Sequence, residues 1–239
     1  MLQIPDRQGP WLTVVSGPMF AGKSEFLITL YHGLRESRGW GSGYIGVYKH
    51  ALDKRYGEGE IVSHTGKRIP AIPVGSAEEL YARIRSRGER VVLVDEGQFF
   101  LDTDSDGSFA FVRVISHLLG RGLWIVVAGL DKDFRGLPFG PMADLLALAD
   151  ERISLFARCA VCGAPATFTQ RLVDGKPARA DEPLLLVGAE EVYEPRCRRC
   201  HRVEGSLRSA KSFAFGLRKP EEPEPSSVEE EAPSFQRPR

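Results

Sequence analysis

The 239-residue chain carries 32 basic and 32 acidic side chains, a formal net charge of +0 that excludes a global attraction to nucleic acid or anionic lipid. Its 42% hydrophobic and 27% charged residues are ordinary globular usage and exclude general disorder and fibrous repeats. The length suffices for one large domain, or a large one with a small one, each able to bury a core.

No run of about 18 apolar residues occurs, and the opening MLQIPDRQGP lacks the basic-then-apolar layout of a signal peptide. A cytoplasmic protein with no membrane partner is expected. Residues 11–16, WLTVVS, are apolar and β-branched and predict a buried strand. The strand runs into Gly17-Pro18-Met19-Phe20-Ala21-Gly22-Lys23-Ser24, which satisfies G-x-x-x-x-G-K-[ST]. Phe26, Leu27, Leu30, Tyr31 and Leu34 then recur at the spacing of an amphipathic helix over 24–38, stopped at Gly39. A glycine loop between strand and helix lets backbone N–H groups curl around phosphate oxygens, and the helix N-terminus adds partial positive charge. Lys23 would reach the β- and γ-phosphates and the Ser24 hydroxyl would ligate Mg²⁺, so binding of ATP or GTP is expected.

The alternation continues downstream. GYIGVYK (43–49) reads as a strand, and the polar stretch 53–73 as a flap or β-hairpin excursion. AEELYARIRS (77–86) reads as a helix and RVVLVDE (90–96) as a strand. Residues 109–119 follow as a helix and LWIVVAGL (123–130) as a strand. Nearly continuous apolar strands alternating with helices predict an α/β fold with a parallel sheet covered on both faces. In such a sheet the C-terminal strand ends face the ligand crevice, which puts Asp95 and Glu96 beside the phosphate loop. Asp95 would hold the Mg²⁺ shell, leaving Glu96 to accept a proton from an attacking hydroxyl, a role worth about 10²- to 10⁴-fold in rate. The acidic run DTDSDGS (102–108) has no assigned role.

Near Glu151 the pattern changes to short strands around cysteines, so the domains are read as 1–150, 151–216 and a Pro/Glu-rich disordered tail over 217–239. Cys159/Cys162 and Cys197/Cys200 form two knuckles separated by 34 residues, enough thiolates for a closed tetrahedral zinc site. Four sulfur ligands leave no open position, so the zinc is structural and holds the intervening loop. His201 is an alternative ligand, with a bystander role preferred. Arg196, Arg198, Arg199 and Arg202 offer a basic run, but no interleaved aromatics supply a stacking platform, and solvated or paired arginines are the better reading. No catalysis is assigned to His32, His50, His64 or His117.

With these pieces in place the chain resembles the thymidine kinase family of the cellular, zinc-containing type. The resemblance runs from Trp11 to about Phe215 through GPMFAGKS, KHALDKRY (49–56), VDEGQFF (94–100), AGLDKDFRGLPFG (128–140), CAVCGAPATFTQRL (159–172) and VGAEEVYEPRCRRC (187–200). It implies a RecA-like P-loop NTPase sheet with a small zinc-binding lasso domain, and transfer of the ATP γ-phosphate to the 5′-hydroxyl of thymidine. Glu96 matches the family's general base, and Asp53 and Arg55 match positions near the triphosphate. Gly97 and Gln98 join the nucleotide-binding segment. Phe134 matches the aromatic residue that stacks on the base. Leu184, Leu185, Leu186, Val187 and Gly188 match the lasso whose main chain reads the thymine edge, and Tyr193 the residue that packs on or bonds the nucleoside. Met19, Leu130 and Thr169 match the surroundings of the thymine methyl, where apolar and small groups suit a methyl pocket. The family further implies a homotetramer, feedback inhibition by dTTP, and deoxyuridine as a poorer substrate.

Two positions depart from the family pattern. Ala21 replaces a frequent serine, and Ala189 a frequent second glycine in the lasso. Competing readings are a P-loop ATPase that grips nucleic acid through its zinc module, and a nucleotide-binding regulator without turnover. Neutral charge and VDEGQFF count against the first; Lys23 with Glu96 counts against the second.

Overall fold

The computed structural model describes residues 9–38, 43–53, 59–184 and 192–205. The expected first strand is β1 (Trp11–Ser16), followed by α1 (Lys23–Arg38) and β2 (Ile45–His50). The irregular stretch forms the antiparallel hairpin β3 (Glu60–Val62) and β4 (Arg68–Pro70), then β5 (Ile72–Val74). Next come α2 (Ala77–Arg85), β6 (Val91–Asp95), α3 (Ala110–Gly120), β7 (Trp124–Gly129), α4 (Met142–Leu148) and β8 (Glu151–Ser154). These strands build one six-stranded parallel sheet in the order β5-β2-β6-β7-β1-β8.

The period-two alternation of a strand sends successive side chains to opposite faces, which explains two cores. Val91 and Leu93 of β6 join Leu27, Ile28 and Leu34 of α1 on one face, where Ile61 and Ile69 of the hairpin also pack. Val92 and Val94 face the other way, onto Leu80 of α2, Phe111 and Ile115 of α3 and Met142 of α4. This is the expected α/β fold, a parallel sheet covered on both faces. Strand β7 lies between β1 and β6, so phosphate loop and acidic strand end are two strands apart.

Two elements differ from the sequence expectation. β8 was expected to open the smaller domain, yet it pairs in parallel with β1, and Thr13 Oγ1 donates to Glu151 Oε2 at 3.1 Å. The main sheet therefore runs through Ser154. As a half-buried edge strand, ERIS lacks the apolar run that marks its neighbours. β5, which no expectation named, forms the opposite edge, where Pro73 leaves no missing ladder bond.

The second module is small. β9 (Ala157–Arg158) pairs with β10 (Pro165–Ala166) around the first cysteine pair. β11 (Phe168–Val173) sits between β12 (Lys176–Pro177) and β13 (Val192–Arg196), with Thr169 opposite Pro195 and Arg171 opposite Tyr193. The 206–216 segment and the 217–239 tail lie outside the described residues. Among the described residues no helix is long and apolar enough to cross a membrane.

Candidate active site

The phosphate loop is shaped by its glycines. A Cβ on Gly17 would stand 2.5 Å from the Leu155 carbonyl oxygen, closer than any real Cβ contact, and Gly22 has φ +89°. Phe20 also takes a positive φ, 65°, and is half exposed at the loop tip. Lys23 folds back, its Nζ donating to the carbonyls of Gly17 at 3.0 Å and Pro18 at 2.8 Å. The loop is thus closed by the side chain that would hold phosphate.

From two strands away, Asp95 at the end of β6 accepts a hydrogen bond from Ser24 Oγ at 2.9 Å. Burial, and after it the negative charge of Glu96, push the Asp95 carboxyl well above the usual carboxylate range. A hydroxyl and a buried carboxylate in contact are the hard oxygen donors that suit Mg²⁺. A bound cation would favour the charged form of Asp95 and reverse that shift.

Glu96 follows in the left-handed conformation, φ 58° and ψ 40°, where its N–H donates to Asp95 Oδ1 at 2.9 Å. Its carboxylate accepts from Gln98 Nε2. The amide of Gln98 is itself fixed, because its Oε1 accepts from Leu130 N at 2.9 Å. Gln98 is fully buried and bridges Glu96 and the Leu130 N–H. Gly97 is buried too, and a Cβ there would meet Val127 Cγ1 at 2.6 Å.

One cleft of about 780 Å³ joins these parts. Met19, Phe20, Gly22, Lys23 and Ser24 of the loop line it together with Asp53, Asp95 and Glu96. Leu130, Phe134, Thr169, Leu184 and Tyr193 line the same cleft. Gly17, Pro18 and Ala21 do not line it; the Gly17 and Pro18 carbonyls accept from Lys23, and Ala21 N donates to the Pro18 carbonyl at 3.3 Å. Arg55 and Leu185, Leu186, Val187 and Gly188 lie outside the described residues. Sequence reasoning missed the hairpin wall, Ile61, Val62, His64 and Thr65, and also Glu25, Lys132 and Phe139. Glu25 has a legible signal in hindsight, an acid in the first turn of α1, and it fastens the hairpin. Thr65 Oγ1 donates to its Oε2 at 2.7 Å and Lys67 Nζ lies 2.5 Å from its Oε1. Lys67 first, then Thr65, hold the Glu25 carboxyl down to about 2.

The second module touches the loop directly, since Met19 N donates to Thr169 Oγ1 at 3.0 Å. Phe134 is 5% exposed, and the Arg171 guanidinium lies 3.7 Å from its ring centroid. Arg171 is fully buried, and its Nε has no hydrogen-bond partner among the described residues.

The four cysteine sulfurs lie within 4.8 Å of one another, with Cys162–Cys197 at 3.6 Å and Cys162–Cys200 at 3.7 Å. Tetrahedral zinc with Zn–S bonds of about 2.3 Å requires sulfurs about 3.8 Å apart, so the cluster of Cys159, Cys162, Cys197 and Cys200 has the donor set and the size that suit the ion. His201 is turned elsewhere: its Nε2 lies 2.9 Å from the Phe134 carbonyl and its ring stacks on Phe168. The arginine run is occupied as preferred. Arg196 pairs with Glu194, Arg202 donates to the Arg199 and His201 carbonyls, and Arg198 lies over Phe168. The acidic 102–108 loop is tied down as well, Asp102 accepting from Ala77 N at the start of α2 and Asp104 pairing with Arg113.

A protein-family model described as thymidine kinase matches residues 10–201. Among solved structures the chain is similar to the ATPase DotB of Legionella pneumophila, with TM-score 0.39, 12% identity, and 69% of this chain and 47% of that chain covered. It is also similar to a HORMA:CdnC:Trip13 complex of E. coli MS115-1, with TM-score 0.37, 15% identity and coverage of 62% and 48%. A third likeness is the Pif1 helicase of Candida albicans, with TM-score 0.33, 19% identity and coverage of 65% and 40%. The chain spans about half or less of the length of these solved chains, and likeness at this level says nothing about activity.

Proposed function

Because the chain belongs to the thymidine kinase family over residues 10–201, we propose that it transfers the γ-phosphate of ATP to the 5′-hydroxyl of thymidine, giving dTMP and ADP. The observation that carries this reading is the single cleft of about 780 Å³ in which a phosphate loop, a carboxylate at a strand end and an apolar pocket meet. Donor phosphates and acceptor hydroxyl have to be held within reach of each other before a phosphoryl group can move, and such positioning supplies most of the rate in this chemistry.

In this reading Gly17–Ser24 hold the triphosphate through backbone N–H groups and Lys23, with Asp53 and Arg55 beside it. Ser24 and Asp95 would hold Mg²⁺, which would neutralise charge on the phosphate oxygens. Glu96 takes the proton from the 5′-hydroxyl as its oxygen attacks the γ-phosphorus and the bond to ADP breaks. Gln98 anchors the carboxylate of Glu96 during that step. Phe134 stacks on thymine, Met19, Leu130 and Thr169 surround the methyl group, and Tyr193 packs on the nucleoside. The main chain from Leu184 to Gly188 reads the base edge. The four cysteines hold a structural zinc that anchors this second module, which begins after Ser154.

The methyl pocket discriminates by only about 1–3 kcal/mol, so deoxyuridine is a poorer substrate and not an excluded one. The same family reading gives a cytoplasmic salvage enzyme that supplies DNA precursors, assembled as a homotetramer and inhibited by dTTP. Incubation with MgATP and each deoxynucleoside in turn tests the proposal. Thymidine gives the monophosphate at the highest kcat/KM, and failure to phosphorylate thymidine sinks the reading.

A further inference from the structure

Arg171 is the largest fully buried side chain among the described residues, and nothing in phosphate or metal binding accounts for it. It sits on β11 opposite Tyr193, with its guanidinium over the Phe134 ring, 3.7 Å from the centroid. Nη1 donates to the Pro183 carbonyl at 2.7 Å and Nη2 to Glu182 Oε2 at 2.6 Å. Pro183 immediately precedes Leu184, which lines the cleft with Phe134 and Tyr193. One side chain therefore joins three pieces of the acceptor side, the aromatic ring, the strand pair and the chain entering the 184–188 segment. Among the described residues none of these contacts reaches the phosphate loop.

We propose that Arg171 is a positioning residue for the acceptor nucleoside, fixing which face of Phe134 a base can stack on and where the chain at Leu184 starts. The inference rests on the reading that the nucleoside occupies the Phe134 end of the cleft. A ring face covered by a guanidinium is closed to a base, so a planar ligand has only the opposite face. The backbone at Phe134 is held as well, because its carbonyl lies 2.9 Å from His201 Nε2. An arginine is needed for this geometry. Its planar fork donates in two directions while stacking, whereas a lysine ammonium is a point charge that cannot lie flat on a ring. Glu182 completes the link by keeping the buried charge paired, and it also accepts from Arg179 N at 2.8 Å.

The test is steady-state kinetics of the full chain with thymidine and with ATP varied separately, for wild type, Arg171→Lys, Glu182→Gln and the double variant. Arg171→Lys raises the thymidine KM by about tenfold while the ATP KM and zinc content stay within about twofold of wild type. Glu182→Gln, a partly exposed change that leaves the arginine in place, moves the thymidine KM in the same direction by less. The double variant is no worse than Arg171→Lys, because both changes break one link. A thymidine KM unchanged in both single variants overturns the inference, as does a proportional rise in both KM values. Should Arg171→Lys not fold, Glu182→Gln decides alone. Wild-type protein that does not phosphorylate thymidine removes the underlying reading, whereas active wild type with insensitive variants removes only the role of Arg171.

Discussion

Glu96 occupies the left-handed region at φ 58°, a conformation that costs a non-glycine residue about 1–3 kcal/mol and persists only where its surroundings over-determine it. Here Asp95 Oδ1, Gln98 Nε2 and the buried Gly97 do so. Replacing Glu96 by Gln keeps the shape and removes the proposed base. Turnover then falls by at least about 10²-fold while ATP binding, measured by calorimetry, is retained, and near-normal kcat would remove Glu96 from that role. Gly17→Ala is a different residue-scale prediction. Its new methyl meets the Leu155 carbonyl oxygen at 2.5 Å, backbone that cannot swing away, and the urea midpoint drops by the equivalent of about 1–3 kcal/mol. Glu96 was legible because an apolar strand ending in two acids places them at the crevice by topology alone. Gln98 and Arg171 were not, since a buried polar side chain is defined by partners far along the chain, such as Leu130 for one and Phe134 for the other.

Between β2 and the loop that carries Asp53, His50 is buried against Phe100, and its Nδ1 accepts from Leu52 N at 3.2 Å. Burial holds this imidazole below its usual value of 6.5, outweighing the charges of Asp102 and Glu96 and the backbone bond at Gly75, which raise it. The folded state therefore prefers the neutral ring, so its contribution is present above about 6.5 and is lost as the pH falls through that value towards the folded one. Thermal melts between pH 7.5 and 5.5 fall more steeply for wild type than for His50→Gln; parallel slopes would contradict this. Element boundaries were legible wherever hydrophobic period and glycine punctuation agreed, as in α1 and β6. They were not at the sheet edges. ERIS has polar residues on its exposed side and is held to β1 by pairing and by Glu151, while IPV carries a proline that only an edge admits. Both edges are set by tertiary pairing and not by local pattern.

Across the whole molecule, the cysteine module meets the nucleotide domain through Met19 to Thr169, Phe134 to His201 and Phe134 to Arg171. The cysteine spacing made the metal site legible, but these contacts depend on the relative placement of the domains, which spacing does not encode. Metal analysis is predicted to find one zinc per chain, and a folded protein free of metal would contradict the anchor. Chelation raises protease cleavage within 157–205 ahead of the main sheet, and thymidine KM rises more than ATP KM because Phe134 loses its backing. Equal cleavage of both regions would contradict a zinc anchor confined to the module. The central claim is that donor and acceptor meet in one cleft, and phosphorus NMR of the protein turning over MgATP with thymidine tests it most directly. The account predicts a dTMP signal growing in step with ADP and no ADP without thymidine. Inorganic phosphate appearing in place of dTMP, at a rate indifferent to thymidine, would contradict it.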